Sequence, residues 1–228
     1  MKKQLVATLK LNKEILAHGL QINNFGNASI RYKDKCLIKP SGVNLKLIKS
    51  SDISIVNIKN KKILSGEKPS VDLDIHLAIY NKYKNINSII HTHSLYATSW
   101  AQSGRSIPCY GTTHADYYPK EIPVTNLLKK ENIKKNYETE IGKSVLNKLK
   151  IMKINPIDIP GILIANHGVL SWGESPRETI KNAIAIEFIA QLAFNSEILN
   201  KAIKKLPKNL HNKHYYRKHG KNSYYGQK

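Results

Sequence analysis

The sequence predicts an α/β fold, and three observations predict it. Short β-branched runs such as Ser88-Ile89-Ile90 and Gly161-Ile162-Leu163-Ile164-Ala165, bounded by turn formers, read as buried strands. Longer segments repeat apolar residues at helical spacing, as do Leu5, Leu9, Leu11, Ile15 and Leu16 near the start. A chain of 228 residues can bury one core without disulfides or a structural metal, so a single domain over 1–228 is expected.

In chain order, residues 2 to 18 form an amphipathic helix ending at Gly19. The polar run Asn23-Asn24-Phe25-Gly26-Asn27-Ala28 becomes β-like by Ile30, and a second strand, Cys36-Leu37-Ile38-Lys39, runs into Pro40-Ser41-Gly42. Residues 53 to 58 and 62 to 64 read as a hairpin closed by Lys59-Asn60-Lys61. A helix begins after Lys68-Pro69-Ser70-Val71-Asp72, with Ser70 or Asp72 as its N-cap. The strand before His91 leads to a helix over 94 to 102, and then to a polar loop from Pro108 to Pro119. A strand at Ile122 to Thr125, a helix from Tyr137 to Lys150 and the strands 161–165 and 169–173 follow. Ser175-Pro176 opens a long helix to about Asn195, and the tail from Leu210 is basic and aromatic. Such a tail suits an RNA-contacting arm or a segment docking on a neighbouring subunit.

Composition narrows the function classes. The net charge of +21, from 37 Lys and Arg against 16 Asp and Glu, invites a nucleic-acid reading. Most of that charge is lysine scattered through the chain, and arginine stands only at Arg31, Arg105, Arg177 and Arg217. A binding groove would interleave arginines with aromatics, so a general lysine bias is the better account, and nucleic acid is not the expected partner. No run of about 18 apolar residues suits a membrane span, and no leader pattern is visible. Two separate cysteines, Cys36 and Cys109, make no disulfide framework, and a reducing cytoplasm is expected.

The chemistry centres on His91-Thr92-His93. Residues two apart on a strand face the same way, with Cα atoms roughly 6.6 Å apart, a span over which two imidazoles can converge on one ion. Two histidines hydrogen-bonding to loop carbonyls would look the same in sequence. His167, also at a strand end and followed by Gly168, and the carboxylate of Asp72 complete a ligand set suited to a divalent ion such as zinc, although Asp72 equally suits a helix cap. Such a site acts as a Lewis acid, polarising a carbonyl and stabilising the charge left when an adjacent carbon–carbon bond breaks. Asp116 and a tyrosine of the tail are suitable proton carriers. Gly26, Asn27, Lys39, Ser41, Gly42 and Ser70 offer donors for an anionic substrate end.

Taken together, these motifs resemble the class II aldolase family. They are Gly-Asn at 26–27, Lys-Pro-Ser-Gly at 39–42, Pro-Ser-x-Asp at 69–72, His-Thr-His-Ser at 91–94, Gly-Thr-Thr-His-Ala-Asp-Tyr at 111–117, His-Gly at 167–168, and the Lys-His-Tyr and Tyr-Tyr-Gly-Gln runs of the tail. Within the family the 111–117 loop and the tail are most similar to the epimerase branch that interconverts L-ribulose 5-phosphate and D-xylulose 5-phosphate. The resemblance implies a three-layer α/β/α fold with a mixed, largely antiparallel central sheet. It implies a homotetramer in which the tail, about 208–228, completes an active site between subunits. It implies one divalent metal per subunit, typically Zn2+, held by His91, His93 and His167, with Asp72 as a ligand or a base beside it. Asp116 and Tyr225 from the adjacent subunit become the acid/base pair, and Gly26, Asn27, Ser41, Gly42 and Ser70 bind the phosphate with Lys39 close by. An aldolase cleaving a related sugar phosphate is the alternative within the fold. One position departs from the family pattern: Val71 stands where a second serine is usual and offers only its backbone N–H, a loss of ~1 kcal/mol or more of phosphate binding.

Overall fold

A computed structural model describes residues 1–220 and 223–225 of the chain. Helix α1 (Lys2–Ala17) is followed by β1 (Asn27–Tyr32), β2 (Lys35–Ile38), β3 (Ser54–Asn57), β4 (Ile63–Ser65) and α2 (Leu73–Lys82). Then come β5 (Ser88–Thr92), α3 (Leu95–Gln102), α4 (Thr112–Ala115), α5 (Lys130–Lys135), α6 (Tyr137–Met152), β6 (Gly161–Ile164), β7 (Gly168–Gly173), α7 (Pro176–Leu199) and α8 (Lys208–Lys218).

The strands form one sheet in the order β4-β3-β2-β1-β5-β7-β6. Every pairing between these strands is antiparallel. Side chains alternate between the two faces, as the pleat requires. Ala28, Ile30 and Ile90 pack with Leu11 and Ile15 of α1 and Ile180 and Ala183 of α7. Cys36, Ile38 and Ile89 on the other face join Ile75, Leu77, Ile79 and Tyr80 of α2 and Ile141, Val145 and Leu149 of α6. Helices therefore cover both faces, giving the expected three layers. Each large apolar side chain so buried contributes roughly 1.5–3 kcal/mol.

The expected strand at Ile122–Thr125 is reduced to isolated bridges, Ile107 with Ile122 and Val124 with Leu163. Pro123 has no N–H for a ladder, so the segment is tied to Leu163 by a bond on either side, Leu163 N to Pro123 O and Thr125 N to Leu163 O, both 2.9 Å. The Val124–Leu163 bridge is parallel, and the mixed character expected of the sheet resides there. The basic tail contains helix α8, whose buried residues are His211 and Tyr215. With so little apolar surface along it, no helical stripe marks it in the sequence. Gly226 and Gln227 of the tail motif lie outside the described residues.

Burial holds two histidines neutral inside the fold. The His76 imidazole, with its Nδ1 2.7 Å from Ser29 Oγ, is pushed down to about 4 by burial, and so is that of His114. In the unfolded chain both take up protons near pH 6.5, so the folded state's advantage is complete above that pH and is lost as pH falls through about 4. Each contributes a slope of up to ~1.4 kcal/mol per pH unit in that window. Urea unfolding at pH 5 is expected to have a clearly lower midpoint than at pH 7, and equal midpoints would contradict the buried neutral state.

Candidate metal centre

Strand register assembles the three imidazoles. β5 carries His91 near its end, with His93 one residue beyond the strand. The antiparallel pairs His91 with Leu170 and Thr92 with Val169 set the start of β7 against that end. His167, the residue before β7, is thereby delivered to the same place. The three ring centroids lie 4.9, 4.8 and 5.0 Å apart, and their ligand atoms fall within 4.8 Å of one another. His91 is fully buried, while His93 and His167 are half-buried.

The donor set fits a divalent cation. His91 Nδ1 lies 3.1 Å from Val169 O, so that nitrogen donates its N–H and leaves Nε2 with a bare lone pair. His91 Nε2 and His93 Nε2 are 3.1 Å apart, a spacing near the ~3.3 Å expected of two nitrogens bound to one tetrahedral ion at 2.0–2.1 Å. Burial lowers all three imidazoles, His91 to about 3, so they remain neutral ligands at physiological pH.

Two glycines make the close approach possible. Gly26 has φ +94°, and a Cβ there would sit 2.8 Å from His91 O. At Gly168 a Cβ would stand 2.5 Å from Thr92 O and 3.1 Å from His91 Cε1. The Gly-Asn and His-Gly pairs of the sequence are thus places where a loop or strand end presses against the histidine strand.

Asp72 occupies the N-cap position of α2, but its side chain does not cap the helix. Its Oδ2 accepts from Asn27 Nδ2 at 2.6 Å. The cap reading is therefore corrected: Asn27, paired with His91 across β1 and β5, claims the carboxylate for the site. Burial alone would raise Asp72; the neighbouring His91, His76 and His167 and the Asn27 amide bring it below the ordinary carboxylate range. The ligand atoms that cluster are those of the three imidazoles, and Asp72 stands beside them rather than among them.

The anion-binding candidates lie on loops zipped together. Pro40 bridges to Pro69, Ser41 N donates to Lys68 O at 2.9 Å, and Ser70 N donates to Lys39 O at 3.0 Å. The bridge is antiparallel, so Ser41 lies opposite Lys68 and Ser70 opposite Lys39, on either side of the Pro40–Pro69 pair. Lys39 is buried, and its ammonium donates to Asn24 O and Gly26 O at 3.1 and 3.2 Å, bracing the loop before Asn27. Those carbonyls occupy two of its three donors. Val71 is 63% exposed. Phe25, also exposed, lies with its ring centroid 5.8 Å from that of His93.

Asp116 and Tyr225 gather elsewhere, around α8. Asp116 accepts from Arg217 Nη2 at 2.9 Å and pairs with Lys218 at 3.3 Å and His214 at 3.2 Å. Burial would raise its carboxyl, but Arg217, Lys218 and His214 hold it below its usual value. The Tyr225 ring lies under the Arg217 guanidinium at 4.5 Å and the Lys218 ammonium at 4.9 Å. Among the described residues, no hydrogen bond or ion pair links this cluster to the imidazoles. Two contacts of the centre carry no signal in the sequence. Tyr137 stacks on His167, and Glu187 of α7 accepts from Tyr96 N and Ala97 N, anchoring the first turn of α3 just after His93. Burial, with Glu138 and Asp72 nearby, raises the Tyr137 phenol, which stays protonated.

The sheet covered by helices on both faces agrees with the fold of solved structures that this chain resembles. Residues 6–194 match the family described as Class II Aldolase and Adducin N-terminal domain. The chain belongs to the class II aldolase family. It is 37% identical over 230 residues, covering 100% of both chains, to L-ribulose-5-phosphate 4-epimerase UlaF of Salmonella paratyphi C (strain RKS4594). It is 36% identical, with the same coverage, to the protein of that name from Salmonella typhi. Among solved structures, an L-fuculose 1-phosphate aldolase aligns with a TM-score of 0.80 at 23% identity, over 93% of this chain and 94% of that one. The L-fuculose-1-phosphate aldolase from Thermus thermophilus aligns with a TM-score of 0.68 at 20% identity, over 89% of this chain and 100% of that one. These structural likenesses concern the fold. No helix among the described residues is long and apolar enough to cross a membrane.

Proposed function

We propose that the chain is a metal-dependent epimerase interconverting L-ribulose 5-phosphate and D-xylulose 5-phosphate by breaking and remaking the C3–C4 bond. One observation carries the reading: His91, His93 and His167 converge in a chain similar from end to end to enzymes of that name. Zn2+ is the proposed ion, since three neutral nitrogen donors suit a borderline cation. When bound, it supplies Lewis acidity that stabilises the negative charge left on the three-carbon fragment as the bond breaks.

The chain's own residues do the rest. Gly26, Asn27, Ser41, Gly42 and Ser70, with the Val71 N–H and Lys39 close by, hold the phosphate of the two-carbon aldehyde so that it turns without leaving. Asp72, a half-buried carboxylate beside the imidazoles, acts as a base next to the cation. Asp116 and Tyr225 of an adjacent subunit face the two sides of the aldehyde. One takes the O4 proton as O4 becomes a carbonyl, and the other returns a proton to O4 after re-addition on the opposite face. A single domain over 1–228, with the tail from about 208 reaching a neighbour's site, is part of this reading, as are a homotetramer and a cytoplasmic location. The exposed apolar side chains of α7, among them Phe188, Leu192 and Leu199 on one side and Phe194 and Ile198 on another, support assembly. The scattered positive charge serves attraction of a phosphorylated substrate rather than nucleic-acid binding.

The test is turnover of L-ribulose 5-phosphate before and after chelation. Activity is expected to vanish on metal removal and to return with Zn2+. Accumulation of free glycolaldehyde phosphate would instead make the chain an aldolase. An inactive, metal-free protein that bound nucleic acid tightly at physiological salt would overturn the reading.

A further inference from the structure

We propose that Tyr137 is a positioning residue of the metal centre: its phenol oxygen fixes the tautomer of His167 and so sets how tightly the cation is held. This rests on the metal reading of the three imidazoles and is independent of which sugar is turned over.

Tyr137 is the first residue of α6, and the turn is fixed by Asn136, whose side-chain oxygen accepts from Thr139 N at 3.3 Å. That start places the phenol ring parallel to the His167 ring, with centroids 5.9 Å apart and planes 18° from parallel. The Tyr137 hydroxyl stands 3.4 Å from His167 Nδ1. An imidazole that binds a cation through one nitrogen carries its proton on the other, and that N–H needs an acceptor to hold the ring's tautomer and orientation. His91 has such an acceptor in Val169 O, on the next strand. His167 follows the end of β6 at a turn, where Asn166 has φ +56°, and the polar group facing its Nδ1 is the hydroxyl of Tyr137.

The direction of this bond decides whether His167 can ligate. If the phenol accepts from Nδ1–H, then Nε2 is bare and free to bind the cation. If the phenol donates to Nδ1, the proton sits on Nε2 and the ligand is lost. A cation at Nε2 draws density from the ring and makes Nδ1–H a stronger donor, which favours the first arrangement and tightens the contact. Metal binding and the Tyr137 bond therefore reinforce each other. Stacking alone would do neither. A phenylalanine keeps the ring and removes the acceptor, which separates the two contributions.

The experiment is the Zn2+ dissociation constant of the full-length protein and of Tyr137→Phe, measured by competition with a chromophoric chelator. Nitrogen-15 NMR of the histidine side chains accompanies it. Loss of the acceptor is expected to weaken Zn2+ binding by about ten-fold or more, the range seen when an outer partner of a ligand histidine is removed. Circular dichroism and oligomeric state are expected to stay unchanged, and His167 to lose its single tautomer in the variant. A dissociation constant within two-fold of the parent would overturn the proposal. So would a His167 that carries its proton on Nε2 in the zinc-loaded parent, a measurement that stands even if the variant fails to fold. None of these readouts uses substrate. A parent protein that binds Zn2+ but does not epimerise L-ribulose 5-phosphate would sink the functional reading and leave this one standing.

Discussion

Replacing His91 by alanine is expected to lower turnover by about three orders of magnitude or more and to empty the site of zinc. His91 is the buried member of the triad, its Nε2 lies 3.1 Å from His93 Nε2, and its Nδ1 is anchored to Val169 O. Two half-buried imidazoles left alone cannot complete a tetrahedral site, and the Lewis acidity they would have held is worth several kcal/mol, ~1.4 kcal/mol for each factor of ten in rate. The fold should tolerate the change better than the chemistry does. Losing one buried hydrogen bond costs ~1 kcal/mol, and a small void adds to it. Metal content by elemental analysis, read beside turnover and thermal unfolding of the apo protein, checks the prediction. His91→Ala with one zinc per subunit and turnover within ten-fold of the parent would mean that the imidazoles hold no catalytic ion.

Gly168→Ala is expected to damage both fold and site, although it adds a single methyl group. Its Cβ would stand 2.5 Å from Thr92 O, a backbone atom in a paired strand, and 3.4 Å from His93 Cδ2. Neither can yield as a flexible side-chain tip would, so β5 and β7 must part where Thr92 pairs with Val169. Overpacking of this kind costs ~1–3 kcal/mol, and the spreading carries the imidazoles off their common point. The expected outcome is a lower urea midpoint together with zinc binding weakened at least ten-fold. Gly111→Ala is the control, since nothing lies within 4 Å of a Cβ there and the backbone is extended at φ −141°. Equal stability and equal zinc affinity for Gly168→Ala and Gly111→Ala would show that the strand ends are looser than this packing implies.

Some of the site could be read without coordinates because its signal is local. The alternation of β5 places His91 and His93 on a common side, and the apolar spacing of α1, α6 and α7 marks those helices within a few residues. Helix α7 nevertheless runs to Leu199, past the expected end near Asn195, and its last turn is held by Glu197, which accepts from Arg105 and Tyr110. α5 and α8 had no such stripe to announce them, and Pro123 reduced an expected strand to isolated bridges. Asp72 shows the same limit in one residue: its type and place before a helix suit a cap, and only the position of Asn27, 45 residues earlier, shows that the carboxylate is used elsewhere.

By itself, the sequence determined which side chains were available: three neutral nitrogen ligands, a nearby carboxylate, donors for an anion, and an α/β domain to carry them. Tertiary structure alone decided that Thr92 pairs with Val169, so that His167 meets the other two imidazoles, that Tyr137 lies against His167, and that Arg217, Lys218 and His214 surround Asp116. The reason is one of range. Helical and strand periods repeat over a few residues and leave their mark along the chain, whereas register and convergence join residues tens of positions apart through packing that no local spacing encodes.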